Sequence, residues 1–236
     1  MRAHAPEALV GDCEGVARAR IGNPRREETV TVATVVHAAG VEPAQARRDV
    51  QVAFHKIARN YSELGQMSEA IANQRRCLEF CEKAVAANPE SSESRGDLGV
   101  AFYFLAEMSE KAGNLREALN FYRKTIEIEE ANAKADPSNT STATNLSEDY
   151  VTIGRVLLKL GNRAEALDGY TKALKIREQL AAANPETPNG RAITAKLYES
   201  LGDYYFPQDL KQAKTRFEQS LTIWQELQSN NTILPS

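Results

Sequence analysis

Few side chains in this 236-residue chain have types and spacing suited to chemistry. Cys77 and Cys81 stand four apart, so on a helix their thiols share a face. A structural zinc needs about four ligands, and nothing joins these two at ligand spacing. No metal is expected, and packing is the better reading of both. Cys13 leaves an odd thiol, which does not build a disulfide framework. His55 could titrate near neutral pH or meet a partner; His4 and His37 carry no argument. The acidic run Glu127, Glu129 and Glu130 could in principle perform acid–base work. It has no accompanying nucleophile, metal cluster or oxyanion element, so a solvated helix face is the better reading. The chain also lacks a Gly-rich phosphate loop, a His-Arg-Asp loop and an Asp-Phe-Gly triplet. Catalytic residues: none; cofactors: none. The chain is not expected to be an enzyme.

Composition narrows the field further. The formal net charge is −3 and the pI about 5.8, so no global basic field draws nucleic acid or anionic lipid. No apolar run approaches the roughly 18–20 residues that cross a bilayer, and the first residues lack the apolar stretch of a secretory signal. The expectation is a cytoplasmic chain with no membrane segment, unless it is a piece of a membrane-anchored protein.

The elements that would position any site recur along the chain at a fixed interval. Asn88-Pro89, Asp136-Pro137 and Asn184-Pro185 fall 48 residues apart, and so do Gly65-Gln66, Gly113-Asn114 and Gly161-Asn162. Glycine after a helix reaches the left-handed conformation of a C-cap cheaply. Asn/Asp-Pro ends a helix because the residue before proline is pushed out of helical space. Between these marks the apolar spacing is helical, as in Leu146, Tyr150, Ile153, Leu157 and Leu160. Four helix–turn–helix units are therefore predicted. Their first helices run about 44–64, 92–112, 140–160 and 188–206, and their second helices about 66–87, 114–135, 162–183 and 208–229. The Ser/Thr-rich stretch 138–145 offers a Ser or Thr cap for the helix that follows.

Position by position, the units share a pattern. The third has Tyr150, Ile153, Gly154, Leu157, Ala166, Tyr170 and Ala173; the second has Phe102, Leu105, Ala106, Ser109, Ala118, Tyr122 and Thr125. The first has Phe54, Ile57, Ala58, Tyr61, Ala70, Gln74 and Cys77. The fourth has Tyr198, Leu201, Gly202, Tyr205, Ala213, Phe217 and Ser220, once one residue is deleted at the turn holding Pro207. In type and spacing this resembles the tetratricopeptide signature. The resemblance covers residues 44–229 and implies an all-α, right-handed solenoid of four long repeats, at about 44–89, 90–137, 138–185 and 186–229. The standard unit is about 34 residues, so each helix here is longer by roughly seven residues, or ~10 Å. Lengthened units ending in IREQLAAANP (176–185) are similar to arrays found after the kinase domain of some bacterial receptor-like serine/threonine kinases.

What the resemblance implies about function is a protein–protein interaction scaffold that takes a protein or peptide in its concave groove. It also admits a docking or sensing arm of a bacterial signalling kinase. First helices line such grooves, which here assigns His55, Arg59, Ser62, Tyr103, Glu107, Glu110, Val151, Arg155, Leu158, Glu199, Asp203 and Phe206. The order runs from basic through mixed to acidic, which would steer a partner into one orientation. Arg59 and Phe104 stand where the carboxylate-clamp variant has asparagines, which argues against chaperone-tail binding. One rival is structural self-assembly through the terminal helices. Another is a helical-repeat enzyme, which would need Glu107 and Arg155 around a closed cavity. Nucleic acid is the least favoured partner, because the groove is not consistently basic.

Residues 1–43 depart from the pattern and read as a poorly ordered leader or a decayed half-repeat. GNPRREE (22–28) echoes GNLREAL (113–119), while the β-branched run 29–43 could be a strand but for want of a partner. Trp224, with Ile223 and Leu227, lies on the last helix, where an array exposes an open face. It is expected to pack on the preceding helix, or to form an apolar edge that drives homo-oligomerisation. Residues 230–236 read as a tail.

Overall fold

Ser, Asn and Thr recur at one position of the 48-residue period, and each starts a helix. Ser91 Oγ accepts from the Ser94 amide, Asn139 Oδ1 from the Thr142 amide and Thr187 Oγ1 from the Gly190 amide, each at 3.1 Å. Each bond satisfies one of the first-turn amides that a helix leaves without an internal partner. In the stretch 138–145 the cap is therefore Asn139 rather than a Ser or Thr. Ser138 is committed elsewhere: its amide and hydroxyl both donate to Asp136 Oδ1, at 3.1 and 2.7 Å.

The glycine turns close the first helices by one device, used three times. Gly65, Gly113 and Gly161 have φ of 75°, 83° and 82°. The next amide in each case (Gln66, Asn114, Asn162) donates 2.8 Å back to the carbonyl of Tyr61, Ser109 or Leu157. That six-to-one bond is a Schellman closure. The fourth turn has no glycine, and Asp209 instead accepts from the Gln212 amide at 2.9 Å to start the last helix.

The computed structural model describes residues 43–183 and 187–229, with the backbone of 16–19 and 28–31. Eight helices result: α1 Pro43–Glu63, α2 Met67–Ala87, α3 Ser92–Lys111, α4 Leu115–Ala135, α5 Thr140–Lys159, α6 Arg163–Ala183, α7 Pro188–Tyr205 and α8 Leu210–Ser229. A hairpin precedes them. β2 (Glu28–Thr31) pairs antiparallel with β1 (Val16–Ala19), Val16 opposite Thr31, so part of the β-branched run does find a partner. Cys13, His4, His37, Asn184-Pro185 and the tail 230–236 lie outside the described residues.

The fold is an all-α helical-repeat solenoid, divided into two compact units, residues 1–114 and 115–236. Each core is built where a small residue lets two helices close on an aromatic. In the second unit Tyr170 is 1% exposed and Ala166 and Ala173 are fully covered. A Cβ on Gly154 would stand 2.6 Å from Tyr170 Cε1. A Cβ on Gly202 would likewise overlap the Phe217 ring. In the first unit Phe54, Ala58, Ala70, Phe102 and Ala106 are buried, and Cys77 and Cys81 are buried beside them. The Cys81 thiol hydrogen-bonds to Cys77, and that bond and burial push its pKa far up.

Two glycine replacements in helices should therefore have opposite signs. Gly154→Ala forces a methyl into a ring that has nowhere to move and should cost about 1–3 kcal/mol. Gly96, inside α3, has nothing near its Cβ position, so Gly96→Ala should gain about 0.5–1 kcal/mol from helix propensity. Urea unfolding of the two variants against the parent checks both.

Candidate functional site

In the first unit the first-helix surface carries an aromatic cluster between α1 and α3. The His55 ring stacks on Phe104, with centroids 3.5 Å apart and planes at 24°, and Phe104 meets the edge of Tyr103 at 5.7 Å. His55 Nδ1 is buried there without a hydrogen-bond partner. Burial holds the His55 pKa below its ordinary value; Glu107 opposes that shift, and Arg59 and Lys111 add to it. The flanking charges are paired locally. Glu107 accepts Lys111 at 2.8 Å, and Arg59 lies 3.7 Å from Glu63. Glu107 thus serves its own helix. Ser62 and Glu110 are half-buried on the same two helices.

A polar cluster joins α1 and α3 at their other ends. Arg47 and Arg48 reach Glu93 and Asp97, with Arg47 Nε 3.7 Å from Asp97 Oδ2, and Gln51 Nε2 donates to the Asp97 carbonyl at 2.6 Å. Desolvation raises the Asp97 pKa, and Arg47 and Arg48 pull it back.

In the second unit the assigned residues sit on α5 and α7. Val151 and Leu158 are half-buried, while Arg155 and Asp203 are exposed and act with opposite sign on the Tyr170 hydroxyl. Burial is the larger influence there, and the Tyr170 pKa is pushed up to about 12. Glu199 faces α8, accepting from Ser220 Oγ at 3.0 Å and Trp224 Nε1 at 2.8 Å. Phe206 caps α7 at 60% exposure and, with Leu210, Phe217 and Leu221, lines an open apolar groove of about 490 Å³. The signature positions are buried throughout the second and third repeats, Ala118 at 0% and Tyr150 at 7% among them, whereas Ile57 and Tyr61 of the first and Tyr198, Tyr205 and Phe217 of the last are half-buried.

Family models of the tetratricopeptide repeat match residues 50–90 and 150–180. The chain thus carries tetratricopeptide repeats in both of its units. Among solved structures, BtubC (BKLC) from P. vanneervenii superposes with a TM-score of 0.62 at 17% identity, over 83% of this chain and 69% of that one. A putative kinesin light chain with nearly identical TPR-like repeats, from Podosopora anserina, gives 0.50 at 18% identity, over 84% and 93%. At such identities the likeness speaks for the fold. No curated protein sequence matches. The tetratricopeptide match supports protein–protein interaction as the general role.

One buried group of the tetratricopeptide core escaped the sequence reading. Asp149 is 7% exposed on α5, at a position where the other repeats place Ala53, Ala101 and Leu197. Desolvation, then Glu129 and Glu148, push its pKa from 3.8 up to about 7. Its only sequence signal was an acid in an otherwise apolar slot. No helix among the described residues is long and apolar enough to cross a membrane.

A raised carboxyl pKa makes stability fall with rising pH, since the unfolded chain releases the proton first. Asp149 should leave stability untouched below about pH 4, erode it from there to about pH 7, and add a constant cost above. Asp149→Asn should therefore be more stable than the parent by on the order of 2 kcal/mol at pH 8 and indistinguishable at pH 4. Thermal melts across that range check it.

Proposed function

We infer that this chain binds an extended segment of a partner protein along its first-helix faces. The observation that carries the reading is the His55–Phe104–Tyr103 cluster. It is a partly exposed stack of flat side chains with a buried, unpartnered nitrogen, set between surface charges. Aromatic and arginine side chains that contribute much contact area at low entropy cost are the usual anchors of such interfaces. On this reading Arg59 and Tyr103 form the recognition surface of the first unit, and Val151, Arg155 and Asp203 that of the second. The 48-residue unit, similar to arrays behind bacterial kinase domains, supports a docking or sensing arm of a signalling protein as its setting.

Peptides selected from a random library on the purified chain supply the test. Arg59→Glu, Tyr103→Ala or Val151→Asp should each weaken the selected ligands at least tenfold, or about 1.4 kcal/mol. Lys83→Glu and Lys175→Glu, on exposed surfaces of α2 and α6, should leave them unchanged. Ligands that ignore the first group and depend on the second would place binding on the second helices and end this reading.

A further inference from the structure

Within the second unit, the way α7 covers α6 shows what a second helix of this array accepts. At the N-terminal end of α6, Arg163 donates to the Tyr204 carbonyl and lies over the Tyr204 ring, 4.5 Å from its centroid. At the C-terminal end, Arg177 donates to Thr194 Oγ1 at 3.1 Å and to the Gly190 carbonyl. Gly190 and Tyr204 are opposite ends of α7, so the covering helix runs antiparallel. The two contact points are fourteen residues apart on either helix, about 21 Å.

Transferred to the last repeat, Arg163 becomes Leu210 and Arg177 becomes Trp224. Leu221 takes the place of Leu78, Ile126 and Leu174. Leu78 and Ile126 are buried, at 9% and 8%, whereas Leu221 is 54% exposed and Leu210 68%. The polar anchors of the inner seam are replaced by apolar side chains; Phe217 and Trp224 are half-buried against α7, while Leu210 and Leu221 stand exposed beside them.

We propose that this face of α8 pairs with the same face of a second copy of the chain, across a two-fold axis at Phe217. Symmetry supplies the geometry the face requires, because two copies of one helix related by a perpendicular two-fold axis are necessarily antiparallel. Leu210 and Trp224 each lie seven residues from Phe217. With Phe217 on the axis, Leu210 of each copy therefore meets Trp224 of the other. The same register settles the charges. Lys214 and Glu218 occupy one flank of α8, 3.6 Å apart within the chain. With the axis at Phe217, Glu218 of one copy lies level with Arg216 of the other and about 3 Å along the helix from the level of its Lys214, so opposite charges come within reach along the rim. The contact closes after two copies.

The pairing depends on α8 and is independent of the first-helix faces used in peptide binding. Sedimentation equilibrium of the full chain between about 1 and 100 µM should give twice the 26.0 kDa chain mass. Leu210→Glu and Leu221→Glu, at exposed positions, should each give a monomer with an unchanged thermal melt. Charge reversal reads the register. Lys214→Glu and Glu218→Lys should each weaken self-association at least tenfold, and a mixture of the two variants should form a heterodimer as tight as the parent. A chain that stays monomeric overturns the proposal. So does a mass that keeps climbing with concentration, a dimer indifferent to both leucine changes, or a charge-reversed pair that fails to recover.

Discussion

Two helices can lie against each other only as closely as the bulkiest side chains between them allow, and in this array that distance is set by a ring facing a missing Cβ. Tyr170 fills the space over Gly154, and Phe217 the space over Gly202. In the first unit alanine serves, with Ala58 and Ala70 fully covered. Because the small residue and the ring sit on partner helices of one repeat, the contact fixes both the separation and the register of the pair. The surface each first helix presents then follows from which residues remain outside that seam. His55 and Phe104, beside the buried Phe54 and Ala58, are examples.

The architecture was legible because its determinants are local and recur. A left-handed glycine, a capping oxygen three residues before a free amide, and a small residue opposite a ring all leave marks at fixed spacing. The polar interior was not legible, because it depends on which side chains meet across a seam. Arg177 is 3% exposed and bound to Gly190 and Thr194, yet in sequence it is one more arginine in a charged helix. Asp149 is hidden for the same reason. Asn139 took the cap from its hydroxyl neighbours through Ser138's bond to Asp136, a competition that composition alone does not rank. The hairpin was half visible: β2 has the β-branched signature, while its partner VARA at Val16–Ala19 does not.

The groove residues show where a family pattern thins into individual chemistry. Projecting the first-helix face gave positions, and the structure gives each its neighbours. Glu107 and Arg59 hold lysine and glutamate on their own helices, Glu199 is drawn to α8, and His55 lies flat on Phe104. A surface whose charges are already paired offers a ligand shape and aromatic contact more than free charge. Exposed ion pairs of this kind add little stability in any case.

Trp224 is the only tryptophan in the chain, and its indole donates to Glu199 across the α7–α8 pair. The intrinsic emission of this protein is therefore a local gauge of its last repeat, while helical circular dichroism averages over all of them. In an array held together by neighbour contacts the end units open first. A denaturation followed in the two signals should separate, with the fluorescence falling ahead of the ellipticity.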